Sequence, residues 1–306
     1  DEGRMPKRAP KVAVVVKRTT YRKFVVEVHD PRIATLLRRR DPTVVRLKQS
    51  HEAHEETARE VDAALRELGA EIVFRAGPRA RIPPRVDLVV TVGGDGTLLA
   101  ASHQVGANTP LLGINSAPDH SVGFFCGGQK GGARRVLARA LDGSLGATEL
   151  TRMRVDLNGR LLHGRVLNEA LFCHASPAAT SRYLLRIDSN GSWGEEDQRS
   201  SGIWVGPAAG STAAQRSAGG KVLPLASRRL QYVVREPYTP AGGHFHYAKG
   251  YVDEGGKLTL RSKMREAKVF LDGHRIVYAV TIGDVLEMRQ SDESLTVLGI
   301  HRKRRL

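Results

Sequence analysis

The stretch from Val86 to Leu99, VDLVVTVGGDGTLL, constrains this chain more than any other. Residues 86–92 are nearly all apolar and mostly β-branched, which suits a strand covered on both faces, as in a parallel sheet between helices. Gly93, Gly94 and Gly96 follow at once. Without side chains in the way, the backbone N–H groups of such a turn can close on an anion. Thr97 to Ala101 then reads as the beginning of a helix, whose N-terminal end favours negative charge. The turn is therefore a candidate phosphate site. Asp95 places a carboxylate in its middle, where a phosphate would repel it. That fits a residue that takes a proton from an attacking hydroxyl or touches a metal. A plain strand-to-helix turn with Asp95 as N-cap satisfies the same letters, and at this point both readings stand.

With 306 residues, 41% of them hydrophobic, the chain has length enough for two domains or one large one. No apolar run approaches the roughly 18 residues that span a bilayer, and no signal-peptide core is present at the N-terminus. A soluble, unexported, cytoplasmic protein without a membrane partner is the expectation. Asp1 to Arg4 are expected to be a scar ahead of a native start at Met5, outside the fold. The two cysteines, Cys126 and Cys173, lie far apart with no CxxC pair or metal-ligand spacing, so reduced structural thiols are expected and no side-chain metal ligands are assigned.

The formal net charge is +16, but residues 1–50 hold 14 Lys/Arg against 5 Asp/Glu and residues 301–306 add four more positive charges. Most of the excess thus sits at the two ends. With 5% aromatics and no interleaving of basic and aromatic residues, this is unlike a stacking or groove-reading surface, so no nucleic-acid partner is expected. A polyanionic substrate and a merely solvated face both remain compatible with it.

Apolar Val12 to Val16 predicts a first strand. A long basic connection follows, Lys17 to Gln49, with a helix around Ile33 to Arg39. Ser50 is the candidate N-cap of a helix whose apolar face is Val61, Ala64, Leu65 and Leu68 and whose stop is Gly69. Strands are predicted at Ile72 to Phe74 and Leu111 to Asn115, the second ending in a loop, Ser116 to Gly123. That loop and Asn115 belong at the carboxyl edge of the sheet beside Gly93 to Thr97, where open α/β sheets bind ligands. One more helix, Ala133 to Leu141, closes at Gly143. After about Gly146 the pattern becomes β: Asn158-Gly159 is a hairpin signal, short strands recur to Val280, and Asp272-Gly273 is a second turn. The expected architecture is an α/β N-terminal Rossmann-like domain with a parallel sheet (1–145), a mainly β, sandwich-like C-terminal domain (146–285), and a last segment (286–306) that returns to the first.

Two further stretches carry polar chemistry. Asn168-Glu169, a polar pair in the apolar run Val166 to Phe172, can hydrogen-bond sugar hydroxyls or simply form an exposed rim. Gly210-Ser211-Thr212-Ala213, with small residues continuing to Gly220, lets a flat ligand approach the backbone or packs a small-residue helix on a sheet.

In this order, Gly93 to Thr97, Gly113-Ile114-Asn115, Asn168-Glu169 and Gly210 to Ala213 resemble the NAD kinase family, whose members carry GGDGT, a GIN loop, an NE pair and a G-S-T-A segment. The resemblance runs from about Val12 to Ile300. It is stronger for the divergent, mitochondrial-type members, on Lys17 to Tyr21, Asn115 to Pro118, Ser200-Ser201-Gly202 and Arg235-Glu236-Pro237. Most bacterial members have Asp-Gly where Ser201-Gly202 stands, Thr-Pro-Thr where Pro207-Ala208-Ala209 stands, and Tyr where Ala214 stands.

The resemblance implies transfer of the terminal phosphoryl group of ATP, or of polyphosphate, to the 2′-hydroxyl of the adenosine ribose of NAD or NADH, with Mg²⁺ or another divalent metal. Asp95 would be the base. Gly93, Gly94, Gly96 and Thr97 would hold phosphates and Asn115 the adjoining loop. Asn168 and Glu169 would hold the dinucleotide's ribose, with Thr212, Ala213 and Ser217 at its adenine end. Ser201 would contact the dinucleotide, and Phe124 or Phe125 would cover a ring or enter the core. A homodimer or homotetramer is implied. Two alternatives share some of these features. A diacylglycerol- or sphingosine-type lipid kinase uses the same turn, and a non-catalytic NAD-binding sensor would tolerate the departures named above, although it has no use for Asp95.

Overall fold

A computed structural model of the chain describes residues 8–239 and 243–300. It divides into two compact units; the first runs to Thr148 and takes the chain back from Thr296, and the second runs from Glu149 to Leu295.

The first unit is built from β1 (Lys11–Val16), α1 (Pro31–Arg38), α2 (Leu47–Glu67), β2 (Glu71–Ala76), β3 (Leu88–Gly93), α3 (Asp95–Ser102), β4 (Leu111–Asn115), β5 (Cys126–Gln129), α4 (Ala133–Leu141) and β6 (Ala147–Leu150). A π-helical turn, Arg22–Glu27, precedes α1. The sheet runs β2-β1-β3-β4, then the strand Leu295–Leu298, then β6, with β5 also paired to β4. β1, β3 and β4 pair in parallel, their residues almost wholly buried, and Val12, Val14, Val90 and Val92 pack against Val61 and Leu65 of α2. Parallel strands covered by helices are what the apolar runs require, and the Rossmann-like expectation holds.

One local expectation is corrected. Helix α2 begins at Leu47, and the Ser50 N–H already donates to the Arg46 carbonyl at 3.0 Å, so Ser50 lies inside the first turn and caps nothing. At the other end Gly69 does stop the helix, with φ +72° and the Ala70 N–H donating to the Leu65 carbonyl. Strand β5, sequence CGGQ, carries no apolar period. Its glycines are there for close approach: a Cβ on Gly127 would lie 2.4 Å from the Leu298 carbonyl oxygen, and one on Gly128 would lie 2.7 Å from Ile114 Cδ1.

The second unit consists of β7 (Met153–Leu157), β8 (Arg160–Val166), β9 (Ala170–His174), β10 (Ser181–Ser189), β11 (Ser192–Ser200), β12 (Ile203–Pro207), α5 (Ala214–Ser217), β13 (Leu230–Val234), β14 (Lys249–Val252), β15 (Lys257–Ser262), β16 (Ala267–Leu271), β17 (Ile276–Val280) and β18 (Val285–Gln290). They form two six-stranded sheets, β11-β10-β15-β18-β7-β8 and β14-β13-β12-β9-β16-β17. Their inner faces share one core, including Val155, Phe172, Tyr183, Val205, Val269 and Leu286, so the sandwich is observed. Asn158 and Gly159 both have positive φ, +51° and +75°, the two-residue turn that joins β7 to β8.

The run Val166 to Phe172 is not one strand. β8 ends at Val166 in the first of these sheets and β9 begins at Ala170 in the second, so Leu167, Asn168 and Glu169 form the step by which the chain changes sheets. β18 belongs to the first of the two sandwich sheets, and among the described residues of the last segment it is Leu295–Leu298 that joins the sheet of the N-terminal unit.

Candidate active site

In the first unit, the carboxyl ends of β1, β3 and β4 lie side by side, because Val16 is in register with Val92 and Gly93 with Asn115. Gly93 must be glycine: a Cβ there would lie 2.3 Å from Thr97 Oγ1. Gly94 is less confined, since its Cβ would meet only the Ser121 hydroxyl, at 2.7 Å, which can turn aside. Helix α3 starts at Asp95, with Gly94 as a cap that has no side-chain hydrogen bond. Asp95 is therefore not the N-cap. Its two carboxylate oxygens instead accept the backbone N–H groups of Phe124 at 2.9 Å and Phe125 at 2.8 Å, from 29 and 30 residues downstream.

This tether folds the loop after β4 onto the glycine turn. Asn115, 4% exposed, fastens the same loop: its Nδ2 donates to the Ser121 carbonyl at 2.8 Å and its Oδ1 accepts the Ala117 N–H at 3.2 Å. Gly123 turns back beneath it with φ +64°. Phe124 stays part-exposed while Phe125 is buried. The Cys126 thiol nearby is pushed up to about 12 by burial and then by the Asp95 charge, so it stays protonated and inert.

Sequence reasoning did not single out His54. It is 1% exposed on α2, with Nδ1 at 2.9 Å from Ser116 Oγ, and burial lowers its pKa to about 4. It is a neutral imidazole that joins the helix to the start of the loop.

In the second unit, Asp272 organises the Asn-Glu pair. Its carboxylate accepts the N–H groups of Leu167 at 2.8 Å, Asn168 at 2.7 Å and Glu169 at 3.1 Å, and its own N–H donates to the Glu169 carbonyl. The sheet-changing step would otherwise leave these backbone donors without a strand partner. Burial raises Asp272 to about 6 against the effect of those N–H groups. Glu169 is 8% exposed and is raised to about 8, by burial first and by Asp272 second. Asn168 Oδ1 and Glu169 Oε2 are buried without a hydrogen-bond partner. Such atoms are expensive to bury unless something arrives to bond them.

The G-S-T-A segment packs on the same step. It is a 3₁₀ turn, Ala208–Thr212, followed by α5. A Cβ on Gly210 or Gly206 would lie 1.8 or 2.2 Å from the Asn168 carbonyl oxygen, which explains both glycines. Ser211 is wholly buried and structural, donating to the Ala208 carbonyl at 2.7 Å and accepting the Leu223 N–H at 2.9 Å. Thr212 is half-buried, and Ala213 and Ser217 are exposed.

Ser201 is not gathered into this group. Its hydroxyl donates to Glu236 ahead of β12, while Gly206 near the other end of that strand touches Asn168, a separation of about 16 Å at the usual rise per strand residue.

The chemistry on offer at the glycine turn is narrow. What stands at the glycine turn is one carboxylate fixed by two backbone N–H groups, with a protonated thiol beside it. The chain belongs to the NAD kinase family. Residues 12–144 match the family model of the ATP-NAD kinase N-terminal domain. A probable NADH kinase of Oryza sativa subsp. japonica is 38% identical over 232 residues, 70% of this chain and 71% of that one. An NADH kinase of Arabidopsis thaliana is 34% identical over 254 residues, 71% and 74% of the two chains. The crystal structure of an NAD kinase from Archaeoglobus fulgidus in complex with ATP has the same fold, with TM-score 0.64 and 20% identity over 94% of this chain and 92% of that one. The chain is thus an NAD kinase, a phosphotransferase that makes NADP. Nothing favours a lipid kinase, and among the described residues no helix is long and apolar enough to cross a membrane.

Proposed function

We propose that this NAD kinase uses Asp95 as the base that takes the proton of the 2′-hydroxyl while the glycine turn holds the donor's phosphates. An alkyl hydroxyl ionises far above pH 7, so a positioned carboxylate lowers the barrier to its attack, and the rest of the catalysis is orientation and charge neutralisation. The observation that carries this reading is the double tether of Asp95 to Phe124 and Phe125, which fixes the carboxylate without occupying all of its lone pairs.

ATP as donor is supported by the ATP complex of the structural relative. NADH as well as NAD as acceptor is supported by the two plant relatives named for NADH. Asn168 and Glu169, with their unpartnered oxygens, suit ribose hydroxyls, and Thr212, Ala213 and Ser217 suit the flat adenine end. Asn115 acts by holding the loop, and Phe124 offers a part-exposed ring at its end. A divalent ion such as Mg²⁺ fits a site with one carboxylate. Among the described residues no cluster of three acidic, His or Cys groups exists, and Mg²⁺ is commonly held by one or two carboxylates together with substrate phosphates and water. Asp95 would be its protein ligand, and the ion would neutralise phosphate charge. The cytoplasm is the proposed location, and a homodimer or homotetramer the proposed assembly, in which Ser201 meets the dinucleotide at a neighbouring copy.

The test is Asp95→Asn, assayed for NADP and NADPH formation with ATP and with polyphosphate. The expected kcat falls by roughly 10² to 10⁴, the range of a lost general base. A fall of less than about tenfold overturns the assignment, because a residue that only fastens the loop keeps at least one of its two N–H bonds as Asn.

A further inference from the structure

In the basic connection after β1, the cations that follow Lys17 most closely are answered locally, whereas Arg32, Arg39, Arg40 and Arg46 further along have no ion pair among the described residues. Arg18 and Arg22 pair with Glu27, and Arg22 also reaches Glu55 at 3.3 Å. Lys48 pairs with Glu52 at 3.8 Å, Lys130 with Glu56 at 2.6 Å, and Lys23 lies 4.5 Å from the ring centroid of Phe24. Lys17 is different. It is exposed, and among the described residues no carboxylate pairs with it.

Its position is held by the fold. The Lys17 N–H donates to the Val92 carbonyl at 2.9 Å, extending the β1–β3 ladder by one residue, and a Cβ on Gly93 would lie 3.1 Å from Lys17 Cβ. The chain beyond is pinned to α2: Thr19, 5% exposed, is 2.9 Å from His51 Nδ1, and Tyr21 stacks on His51 at 5.0 Å. The stem of Lys17 therefore starts against the glycine turn and cannot swing its backbone away. Buried His54 is neutral and adds no second cation.

We propose that Lys17 is a specificity-determining residue for the phosphoryl donor, its ammonium meeting the triphosphate of a nucleoside triphosphate seated on the glycine turn. The inference rests on the turn as donor cradle and on Asp95 as base, since the terminal phosphoryl group must stand near the residue that activates the acceptor. Asp95 puts a negative charge into a site for polyanions, and a flexible ammonium with no protein partner is the group that offsets it.

Three variants of the full chain test this: Lys17→Ala, Lys17→Arg and Gly94→Ala. For Lys17→Ala, KM for ATP is expected to rise about tenfold to a hundredfold, the worth of a charge-assisted hydrogen bond, with KM for NAD nearly unchanged. Calorimetric titration should show ATP binding weakened by the same factor and AMP binding unaffected, and Lys17→Arg should restore most of the ATP affinity. A rise in KM for NAD instead, or no change in either, overturns the role of Lys17. Gly94→Ala tests the cradle separately, because it sets a Cβ in the turn whose bare backbone is to close on the phosphates, while the Ser121 hydroxyl can turn aside. If it leaves ATP binding intact, the cradle reading fails. If it weakens ATP while Lys17→Ala does not, only the role of Lys17 fails.

Discussion

Glu169 is the residue whose protonation the fold changes in the direction opposite to an ordinary surface acid. Burial and the nearby Asp272 raise it to about 8. The folded chain therefore binds a proton that the unfolded chain, titrating at the ordinary value of 4.5, has released, so the stability from this group is full below that value and is lost as pH rises to about 8. Glu169→Gln removes the charge without changing the shape. The variant's thermal midpoint should match the wild type near pH 4.5 and exceed it increasingly toward pH 8, and a difference that stays flat with pH would show that Glu169 is ionised throughout. At neutral pH the protonated carboxyl is a hydrogen-bond donor, a use for the pair that a reading of letters alone does not suggest. Nor was Asp272 legible as more than half of an Asp-Gly turn. Its partners are 103 to 105 residues away, and no local pattern announces a carboxylate that will clamp a distant backbone.

At the scale of elements, α2 and the loop after β4 depend on each other through His54, bonded to Ser116 across 62 residues. The sign here is reversed. His54 is lowered from 6.5 to about 4, so its contribution is full above pH 6.5 and is lost as pH falls toward 4, an effect of about 3 kcal/mol by linkage. A His54→Gln variant, neutral at every pH, should lose less stability than the wild type between pH 7 and 4.5 in chemical denaturation. Parallel losses would show that His54 titrates normally. The apolar face of α2 was visible in its spacing, whereas its start was not, because the turn before Leu47 feeds directly into the helix and no side chain marks the boundary. Strand β11, SWGEEDQRS, was missed for a related reason: it is an edge strand whose charges mask the alternation that buries Gln198 and Ser200.

For the whole molecule, Ser201 lies about a strand's length from the step that carries Asn168, and its hydroxyl is given to Glu236. The proposed homo-oligomer would bring it there from a second copy. Sedimentation at micromolar concentration should give a species at least twice the 33.4 kDa chain mass. A fully active monomer would overturn the assembly and leave Ser201 outside the site.

What the sequence determined by itself is what local chemistry dictates. Apolar β-branched runs made the parallel strands, Gly93 made a turn that only glycine can fill, Asn158-Gly159 made a hairpin, and the ordered motifs indicated the family. Tertiary structure alone decided what the polar side chains do. Asp95 fastens a loop from within the glycine turn, Asp272 holds the Asn-Glu pair, and Arg18 and Arg22 find acids while Lys17, beside Gly93, has none among the described residues. The physical reason is range. Backbone preference and hydrophobic period act within a few residues and leave a trace in the letters. A buried hydrogen bond or an ion pair joins groups tens of residues apart, and it exists only once the chain has brought them together.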